Sequence, residues 1–477
     1  MTHPSPAALL ELRLSLAGRA LSSEQPEYEV RRPVWNAQVD AHPALIVQPQ
    51  DAGDVARTLR FARGQRLPVA VRSGGHSPAG FGTVERGVVI DLSGMRGIEI
   101  DPDTRRVRLE PGLTWGEVAR ALEPHGLAIT AGDVPTVGVG GLTQGGGIGW
   151  FVRKHGLNID RLRAVELVTA DGQFLRASAT ERPELFWGLR GGGANFGVVT
   201  AYEFEAHEGG TVLGGLVMYP VRDAAHARQL LSEYARIAGS APDDLSTQGL
   251  LVAAPPLPFI PEELVGKPLV VVSLCYSGDL TEGERVVSPL RTLAEPLLDT
   301  VAPMPYSGLL EMPPYGQAGD HGFHHALRAA FLKELPEEFF GALTDSALGA
   351  GHPGMLIQLR MLGGEMSRVP ASSAAFAHRD KAAILMISHI TPVGAPPEVE
   401  AWGQRATEAV FAAVRPLASG TYGNFLSVGE EDRVREVFPG STHARLAALK
   451  AEYDPENVFA RNANVKPVRA TAAVTPA

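Results

Sequence analysis

The sequence contains a single cysteine, Cys275. One thiol excludes an internal disulfide and every metal site that needs several cysteines. The chain also lacks any apolar run that approaches the roughly 18 residues of a membrane span. Its first residues, MTHPSPAALLELRLSLAGRAL, lack the basic segment and uninterrupted apolar stretch of a secretory signal. These absences predict a globular protein of the cytoplasm that has no membrane partner.

The sequence also has no excess of positively charged residues. The formal net charge is −10 and no long basic run occurs, which argues against nucleic acid as a partner. Hydrophobic residues make up 44% of the chain and charged residues 20%, a composition typical of a packed globular protein. A length of 477 residues favours two or three domains over one.

Several common nucleotide-binding and catalytic motifs are absent. The sequence has no Walker loop, no HExxH and no GxSxG. One GxGxxG occurs, at Gly349, Gly351 and Gly354, but it follows a predicted helix and precedes a predicted strand. A dinucleotide-binding unit requires the opposite order. Any phosphate site must therefore use other glycines.

Two glycine-rich segments, about 60 residues apart, are the most informative feature that is present. The first is Arg72-Ser73-Gly74-Gly75-His76-Ser77, and the second, VGVGGLTQGGGIGW, runs from Val137 to Trp150. Glycine tolerates positive φ and lets backbone amides approach an anion closely. Flexible linkers lack large apolar residues, whereas the second segment is interleaved with them. The pair predicts a buried site for a phosphate-bearing cofactor.

His76 adds a nucleophile to the first glycine segment. A neutral imidazole can form a covalent bond to an electrophilic carbon, and the 8α-methyl of a flavin is such a carbon. The alternative is an ordinary turn histidine. A third glycine run, in ELFWGLRGGGANFGVV, fits either the same cofactor site or a structural turn between a helix and a strand.

The chain divides into two regions of different pattern. Residues 43–210 predict short strands, a helix from Asp51 to Arg63, a helix starting at Thr114, and a hairpin around Asp171-Gly172. From there to about residue 415, longer apolar strands alternate with helices, which predicts a second, antiparallel α+β unit. Its predicted strands are Leu213–Tyr219, Gly249–Ala253, Leu269–Tyr276, Met355–Leu362 and Ala383–His389.

Three histidines, His321, His324 and His325, have the spacing of one helix face. They predict exposed helix residues, and a metal site is the alternative. No further acidic or histidine ligand at a suitable spacing supports the metal.

Two polar pairs stand on predicted strands. Gln358 and Arg360 lie two residues apart and share a face, and with His389 they are candidates for substrate contact. The alternative is a solvated strand face. Tyr422 and Asn424 alternate in TYGNFL, so a strand would place both on the same side.

These segments, taken in order, resemble the flavin-linked oxidases of the vanillyl-alcohol-oxidase type, and the berberine-bridge-enzyme-like branch in particular. The segments that carry the resemblance are WNAQVDAHPALIVQPQDAGDVARTLRFAR, VAVRSGGHSPAGFG, GVVIDLSGM, TVGVGGLTQGGGIGWFVRKHGLNIDRL, ELFWGLRGGGANFGVVTAYEF, GTYGNFL and YDPENVFARNANVKP. The resemblance implies an α+β fold with a PCMH-type, two-subdomain FAD-binding domain over residues 38–208. It further implies a substrate domain over 209–414, with a helix-covered antiparallel sheet, and a C-terminal segment, 415–467, that returns to the FAD domain.

The resemblance also assigns roles to single residues. His76 would bond the flavin 8α carbon, residues 72–77 would wrap the pyrophosphate, Val198 would approach the adenine or ribose end, and Asn464 would lie near the flavin ring. Family members with two covalent links carry a cysteine where this chain has Val134, so any link here is single. The residues implied to bind FAD are Arg72, Ser73, Gly74, Gly75, His76, Ser77, Val137, Gly138, Gly141, Leu142, Gly146, Gly149, Val198 and Asn464.

The implied activity is that of an FAD-dependent oxidase. A small organic molecule, such as an alcohol, an amine or a secondary metabolite, would lose a hydride to the flavin, and O2 would be reduced to H2O2. Tyr422 and Asn424 match the family's Tyr-x-Asn pattern, in which the tyrosine takes a proton. A free phenol titrates near ~10, so this base needs a lowered pKa or concerted hydride loss. The alternatives are a flavin dehydrogenase or oxygenase of natural-product tailoring, and a non-catalytic flavoprotein.

Overall fold

The computed structural model describes residues 4–312, 321–349 and 354–468. Gly351 of the single GxGxxG lies outside these ranges. Helices and largely antiparallel sheets occur together along the chain, as the α+β prediction requires, and the parallel pairs lie in the first sheet. None of the helices in these ranges combines the length and the apolar character needed to cross a bilayer.

A four-stranded sheet near the N-terminus leads into the first glycine segment. Its strands, in spatial order, are Arg19–Leu21, Leu45–Gln48, Val88–Asp91 and Val69–Arg72. The helix Ala52–Gly64 packs on this sheet, and the Asp51 carboxylate caps it by accepting from the backbone N–H of Asp54. The predicted helix and strands of this region are confirmed. The strand Val69–Arg72 ends where the glycines begin, which fixes the position of that loop.

A five-stranded antiparallel sheet follows in the chain. Its spatial order is Ile98–Asp101, Arg106–Leu109, Val198–Glu205, Leu162–Val168 and Phe174–Ser178. The last two strands form the hairpin predicted around Asp171-Gly172. The predicted helix at Thr114 is present as Trp115–Leu122, with the capping box between Thr114 and Glu117. A small ladder pairs Leu127–Ala128 with His207–Glu208.

The largest sheet has eight antiparallel strands and supplies one wall of the site described below. In spatial order it contains Leu298–Asp299, Thr211–Pro220, Pro268–Tyr276, Leu245–Ala253, Met355–Met361, Ala383–Pro392 and Phe323–Leu332, and Ala302–Pro305 also pairs with Thr211–Pro220. One face is covered by the helices Ala224–Ser240, Leu280–Arg291, Glu337–Gly349 and Pro397–Val414. The predicted antiparallel sheet with helices on it is therefore confirmed.

One strand of this sheet corrects the sequence analysis. The segment of the three histidines forms the strand Phe323–Leu332, which pairs along its whole length with Ala383–Pro392, and not a helix. Strand alternation buries His325, while His321 lies exposed in a bend before the strand. The His324 imidazole bonds the Glu400 carboxylate at 2.7 Å. The helical spacing was therefore coincidental, because long-range pairing decides the conformation here.

The C-terminal segment is anchored by a buried ion pair. Lys450, on the helix Ser441–Tyr453, is fully buried and lies 2.7 Å from the Asp454 carboxylate. Its ammonium also donates to the carbonyl oxygens of Asn195, at 2.7 Å, and Phe459, at 2.9 Å. These bonds tie the C-terminal segment to the third glycine run. The remaining helices are short: Pro6–Ser15, Glu27–Arg31, Val139–Gln144, Val152–His155, Pro183–Leu189, Tyr306–Glu311, Glu365–Arg368 and Val434–Val437.

Candidate active site

A cavity of about 510 Å³ lies between the two glycine segments and the uncovered face of the eight-stranded sheet. Its residues come from positions as distant as Trp35 and Ala463. The glycine wall includes Ser73, Gly74, Gly75, His76, Ser77, Val137, Gly138, Gly141, Leu142 and Gly145. The sheet wall includes Leu250, Leu327, Leu356, Gln358, Arg360, Ile384 and Met386. The structure therefore brings together the two segments that the sequence singled out.

The two glycine segments touch each other at Gly74 and Gly138. A Cβ placed on Gly74 would lie 2.4 Å from the amide nitrogen of Gly138, a distance that real side chains do not reach. Ser73 fastens the same contact, because its Oγ donates to the carbonyl oxygen of Pro111 at 2.5 Å and accepts from the Gly140 N–H at 3.1 Å. Only glycine permits this approach, so the cavity wall depends on it.

Arg72 contributes to the cavity wall and also holds the start of the first glycine segment in place. Its guanidinium is buried and lies 2.9 Å from the buried Asp91 carboxylate on the neighbouring parallel strand. Beyond it, the backbone N–H groups of residues 74–77 donate to no other residue in the described part of the chain. Unpaired amide donors facing a cavity are what an anionic ligand requires.

Buried oxygen atoms with no protein partner mark the rest of the wall. Within the described part of the chain they are Gln144 Oε1 and Asn462 Oδ1. Gly141 lies open to the cavity, and a Cβ there would meet no atom within 4 Å. Unpaired amide donors, unpaired oxygens and a glycine cradle together fit a large, polar, phosphate-bearing group such as FAD.

His76 is half-buried, and its ring contributes to the cavity wall. The ring stacks with Trp35 at a centroid distance of 5.7 Å, and Trp35 stacks on His325 at 3.6 Å. Burial, together with the neighbouring His321 and His325, lowers the pKa of His76 to about 3, although a hydrogen bond with the backbone of Thr136 opposes the shift. The imidazole is therefore neutral, and hence nucleophilic, across the physiological pH range.

Tyr422 is buried beside the second glycine segment. Its hydroxyl accepts hydrogen bonds from the backbone N–H of Gly147, at 3.0 Å, and from Asn424 Nδ2, at 2.9 Å. The predicted strand is wrong here: Gly423–Phe425 form a 3₁₀ turn, which curls Asn424 back onto the tyrosine. Burial raises the pKa of Tyr422 to about 12, although these donors and Arg360 oppose the shift.

The polar side chains of the sheet wall form one connected network. Arg360 pairs with the Asp133 carboxylate and donates to the carbonyl oxygen of Ile148 at 3.2 Å. Gln248 Nε2 donates to Asp133 at 2.8 Å, and Gln358 Nε2 donates to Gln248. Gln358 and Arg360 are each 7% exposed, so the solvated strand face that was the alternative is wrong. The loop at residues 130–138 covers this end of the face.

Two of the predicted glycines serve the backbone and are not in the cavity wall. A Cβ on Gly149 would lie 1.2 Å from the carbonyl oxygen of Ala131. Gly146 has φ +119°, and Phe376 packs within 2.6 Å of its missing side chain. Both glycines let the second segment fold against neighbouring parts of the chain.

Three other predicted residues also lie elsewhere. Val198 is fully buried in the apolar core beneath the N-terminal sheet. Asn464 is half-buried, and the adjacent cavity wall is formed by Asn462 and Ala463. His389 lies on the helix-covered face, where its ring is 5.3 Å from Trp402 and its Nδ1 is 3.1 Å from Thr391 Oγ1.

Sequence reasoning missed several wall residues, among them Trp35, Phe376, His378, Arg461 and Asn462. Trp35 and Asn462 lie inside segments that carry the family resemblance, so the motif match could have identified them. Phe376 and His378 lie in a loop after the helix Glu365–Arg368, and no local pattern marks them.

Comparisons with known proteins agree with this geometry. Residues 43–178 match the FAD binding domain family, and residues 421–466 match the family described as berberine and berberine like. The chain is 31% identical to (R)-6-hydroxynicotine oxidase of Paenarthrobacter nicotinovorans, over 95% of this chain and 98% of that protein. It is 30% identical to an FAD-linked oxidoreductase of Dictyostelium discoideum, over 91% of each.

Solved structures show the same fold. The crystal structure of 6-hydroxy-D-nicotine oxidase from Arthrobacter nicotinovorans has a TM-score of 0.84 at 29% identity, covering 95% of this chain and 99% of that one. Glucooligosaccharide oxidase from Acremonium strictum, whose FAD is 6-S-cysteinyl and 8α-N1-histidyl, has a TM-score of 0.84 at 22% identity, covering 97% and 100%. The chain belongs to the berberine-bridge-enzyme-like family of FAD-linked oxidases.

Proposed function

We propose that the protein holds FAD through a single covalent bond to His76 and uses it to oxidise a small organic molecule, with O2 as the acceptor and H2O2 as the product. Bound FAD would supply the hydride acceptor and the site of O2 reduction. The observation that carries the proposal is the neutral, cavity-facing His76 beside the contact of Gly74 with Gly138.

The single link follows from the residues available. Val134 contributes to the cavity wall at the position that the family pattern gives to a second, cysteinyl attachment. Cys275 is fully buried within the strand Pro268–Tyr276, and it is not a cavity residue. Glucooligosaccharide oxidase carries both links, so this chain would retain only the histidyl one.

The substrate proton would go to Tyr422. The two N–H groups that hold its hydroxyl would stabilise a phenolate there, because both donate to the same oxygen. Asn424 positions the phenol of Tyr422. Its amide also donates to the carbonyl oxygen of Leu142, at 3.3 Å, and therefore holds the phenol against the second glycine segment. Apolar side chains around the ring, including Phe331 and Phe425, exclude water from this end of the cavity.

FAD binding and substrate binding would be assigned to the parts of the chain that the sequence predicts. Residues 38–208 and 415–467 would form the FAD-binding part, and residues 209–414 would cover the substrate side. The contact of the Lys450 ammonium with the carbonyl oxygen of Asn195 supports the first pairing. The cytoplasm remains the proposed compartment.

Anaerobic reduction of the bound flavin tests the function. The purified holoenzyme is mixed with a panel that includes 6-hydroxynicotine, chitooligosaccharides, xylobiose, benzylic alcohols and secondary amines, and flavin bleaching is recorded. Each compound that bleaches the flavin is then tested for O2 uptake with stoichiometric H2O2. Bleaching without rapid reoxidation by O2 would indicate a dehydrogenase. No bleaching with any compound would favour the non-catalytic flavoprotein.

A further inference from the structure

We propose that Gln358 selects the substrate, by offering its amide oxygen as acceptor to a hydroxyl or N–H group carried by an otherwise apolar molecule. This inference rests on the proposed oxidase function, because it concerns the same cavity. Gln358 lies on the strand Met355–Met361, and it contributes to the cavity wall although only 7% of it is exposed. Its role depends on which end of the amide faces the cavity.

The orientation of that amide is fixed by a carboxylate two hydrogen bonds away. A carboxylate only accepts, and Asp133 Oδ2 accepts from Arg360 and from Gln248 Nε2. The oxygen of Gln248 must then face Gln358, whose Nε2 donates to it. The amide oxygen of Gln358 then faces away from Gln248, and no described residue donates a hydrogen bond to it. Turning either amide over would set two oxygens or two NH2 groups against each other.

Arg360 keeps this network in place. Besides pairing with Asp133, its guanidinium donates to the carbonyl oxygen of Ile148 and lies 5.7 Å from the ring of Trp150. It is held at three points in a buried setting, so it stays with Asp133 and does not serve as an anion site. The residue that remains for recognition on this part of the strand is Gln358.

The surroundings of Gln358 are apolar. Leu250 and Met386 are its cross-strand neighbours on either side, and Leu356 shares its face two residues away. All three line the cavity. A sugar chain would leave most of its hydroxyls unpaired against such a wall, at a cost of about 1–3 kcal/mol each. An aromatic or aliphatic molecule with one donor matches both the acceptor and the wall.

Binding of two probes to the holoenzyme tests this assignment. The probes are 4-propylphenol and 4-propylanisole, which differ in that a methyl group replaces the hydroxyl hydrogen. Their dissociation constants are measured anaerobically from the perturbation of the flavin absorbance, so that reduction, seen as bleaching, is recorded separately. We expect the phenol to bind about tenfold more tightly, the value of one buried hydrogen bond.

Two variants test whether Gln358 causes the preference for the phenol over the anisole. Gln358→Met keeps the length and removes the acceptor, so the ratio of the two dissociation constants should fall to about one while the anisole affinity is kept. Met218→Leu is the matched control, because Met218 packs on the same face of the sheet but outside the cavity. This control should keep the wild-type ratio.

Equal affinities in the wild type, or a preference that survives in Gln358→Met, would overturn the proposal. If Gln358→Met does not retain flavin, Gln248→Leu gives the same test. It leaves Gln358 in place but frees its amide to turn, so the preference should shrink, and an unchanged preference would also overturn the proposal. Failure of every compound to bleach the flavin would contradict the oxidase function while leaving the affinity ratio measurable.

Discussion

The amide nitrogen of Gly74 would lie 2.2 Å from a Cβ on Gly138. The two glycine segments thus meet backbone to backbone, and the short side chain of Ser73 bridges them beside this contact. A substitution at this contact acts on the ligand site and on stability together, because neither backbone can move alone.

Substitution of Gly138 by alanine should therefore displace the first glycine segment. We expect a loss of most bound flavin and a decrease in the free energy of unfolding of about 1–3 kcal/mol, the usual cost of overpacking. Flavin content per chain and urea unfolding measure the two effects. Gly64→Ala is the control, because a Cβ there meets nothing within 4 Å and alanine favours the helix that contains it. Full flavin content in Gly138→Ala would contradict the close-contact argument.

Replacement of His76 by alanine should leave the flavin bound but not covalently attached. Acid precipitation would release all of the yellow colour from the variant and none from the wild type. The pKa of His76 is about 3, so the imidazole is neutral above pH 5, and reconstitution of the wild-type apoprotein with FAD should form the bond equally well from pH 6 to 9. A steep rise in bond formation across that range would show that His76 titrates there.

Replacement of Tyr422 by phenylalanine should reduce kcat/KM by about 10²–10⁴-fold, the usual contribution of a general base. Because burial raises the pKa of this phenol to about 12, the fraction of phenolate grows as the pH rises. The wild-type kcat/KM should therefore increase steadily from pH 7 to 10, and the variant should lack the increase. A wild-type plateau between pH 7 and 9 would show that Tyr422 is not the titrating base.

Acid should destabilise the protein through His378. Its ring stacks on Phe331 at 4.7 Å, and burial lowers its pKa to about 4, from 6.5. The unfolded chain therefore binds the proton more readily. The contribution of neutral His378 to the free energy of unfolding is complete above pH 6.5 and is lost as the pH falls towards 4. The free energy of unfolding changes by up to about 3 kcal/mol over this range.

Urea unfolding of His378→Gln at pH 7 and at pH 4.5 measures this contribution. The variant should be less stable at pH 7 and should lose less stability on acidification than the wild type. His125→Gln is the control, since His125 is exposed at the end of a short helix. An acid response of His378→Gln that equals that of the wild type would exclude the histidine as the cause.

Local chemistry predicted much of this fold. The capping box of Thr114 with Glu117 and the turn at Asp171-Gly172 fixed their elements, because the determining contacts lie within three or four residues. The first glycine segment could also be predicted from the sequence, because a strand leads directly into it. Where a few neighbours decide the conformation, the sequence alone was sufficient.

Long-range pairing explains what could not be predicted. The strand that contains His325 is set by its partner Ala383–Pro392, about 60 residues away, and its histidine spacing misleadingly favoured a helix. The buried network of Gln358, Gln248 and Arg360 includes Asp133, which lies more than 200 residues before Gln358. The position of Asn462 in the wall, in place of Asn464, depends on how the C-terminal segment docks. None of these contacts leaves a local pattern.

The docking of the C-terminal segment has a consequence for the order of events during synthesis. The cavity needs Trp35 from the beginning of the chain and Asn462 and Ala463 from near its end. A nascent chain still emerging from the ribosome thus has only part of the wall, even when both glycine segments have already folded. We therefore expect cofactor loading to await the C-terminal segment, because a chain cut before Ser441 lacks both Asn462 and Ala463 of the cavity wall.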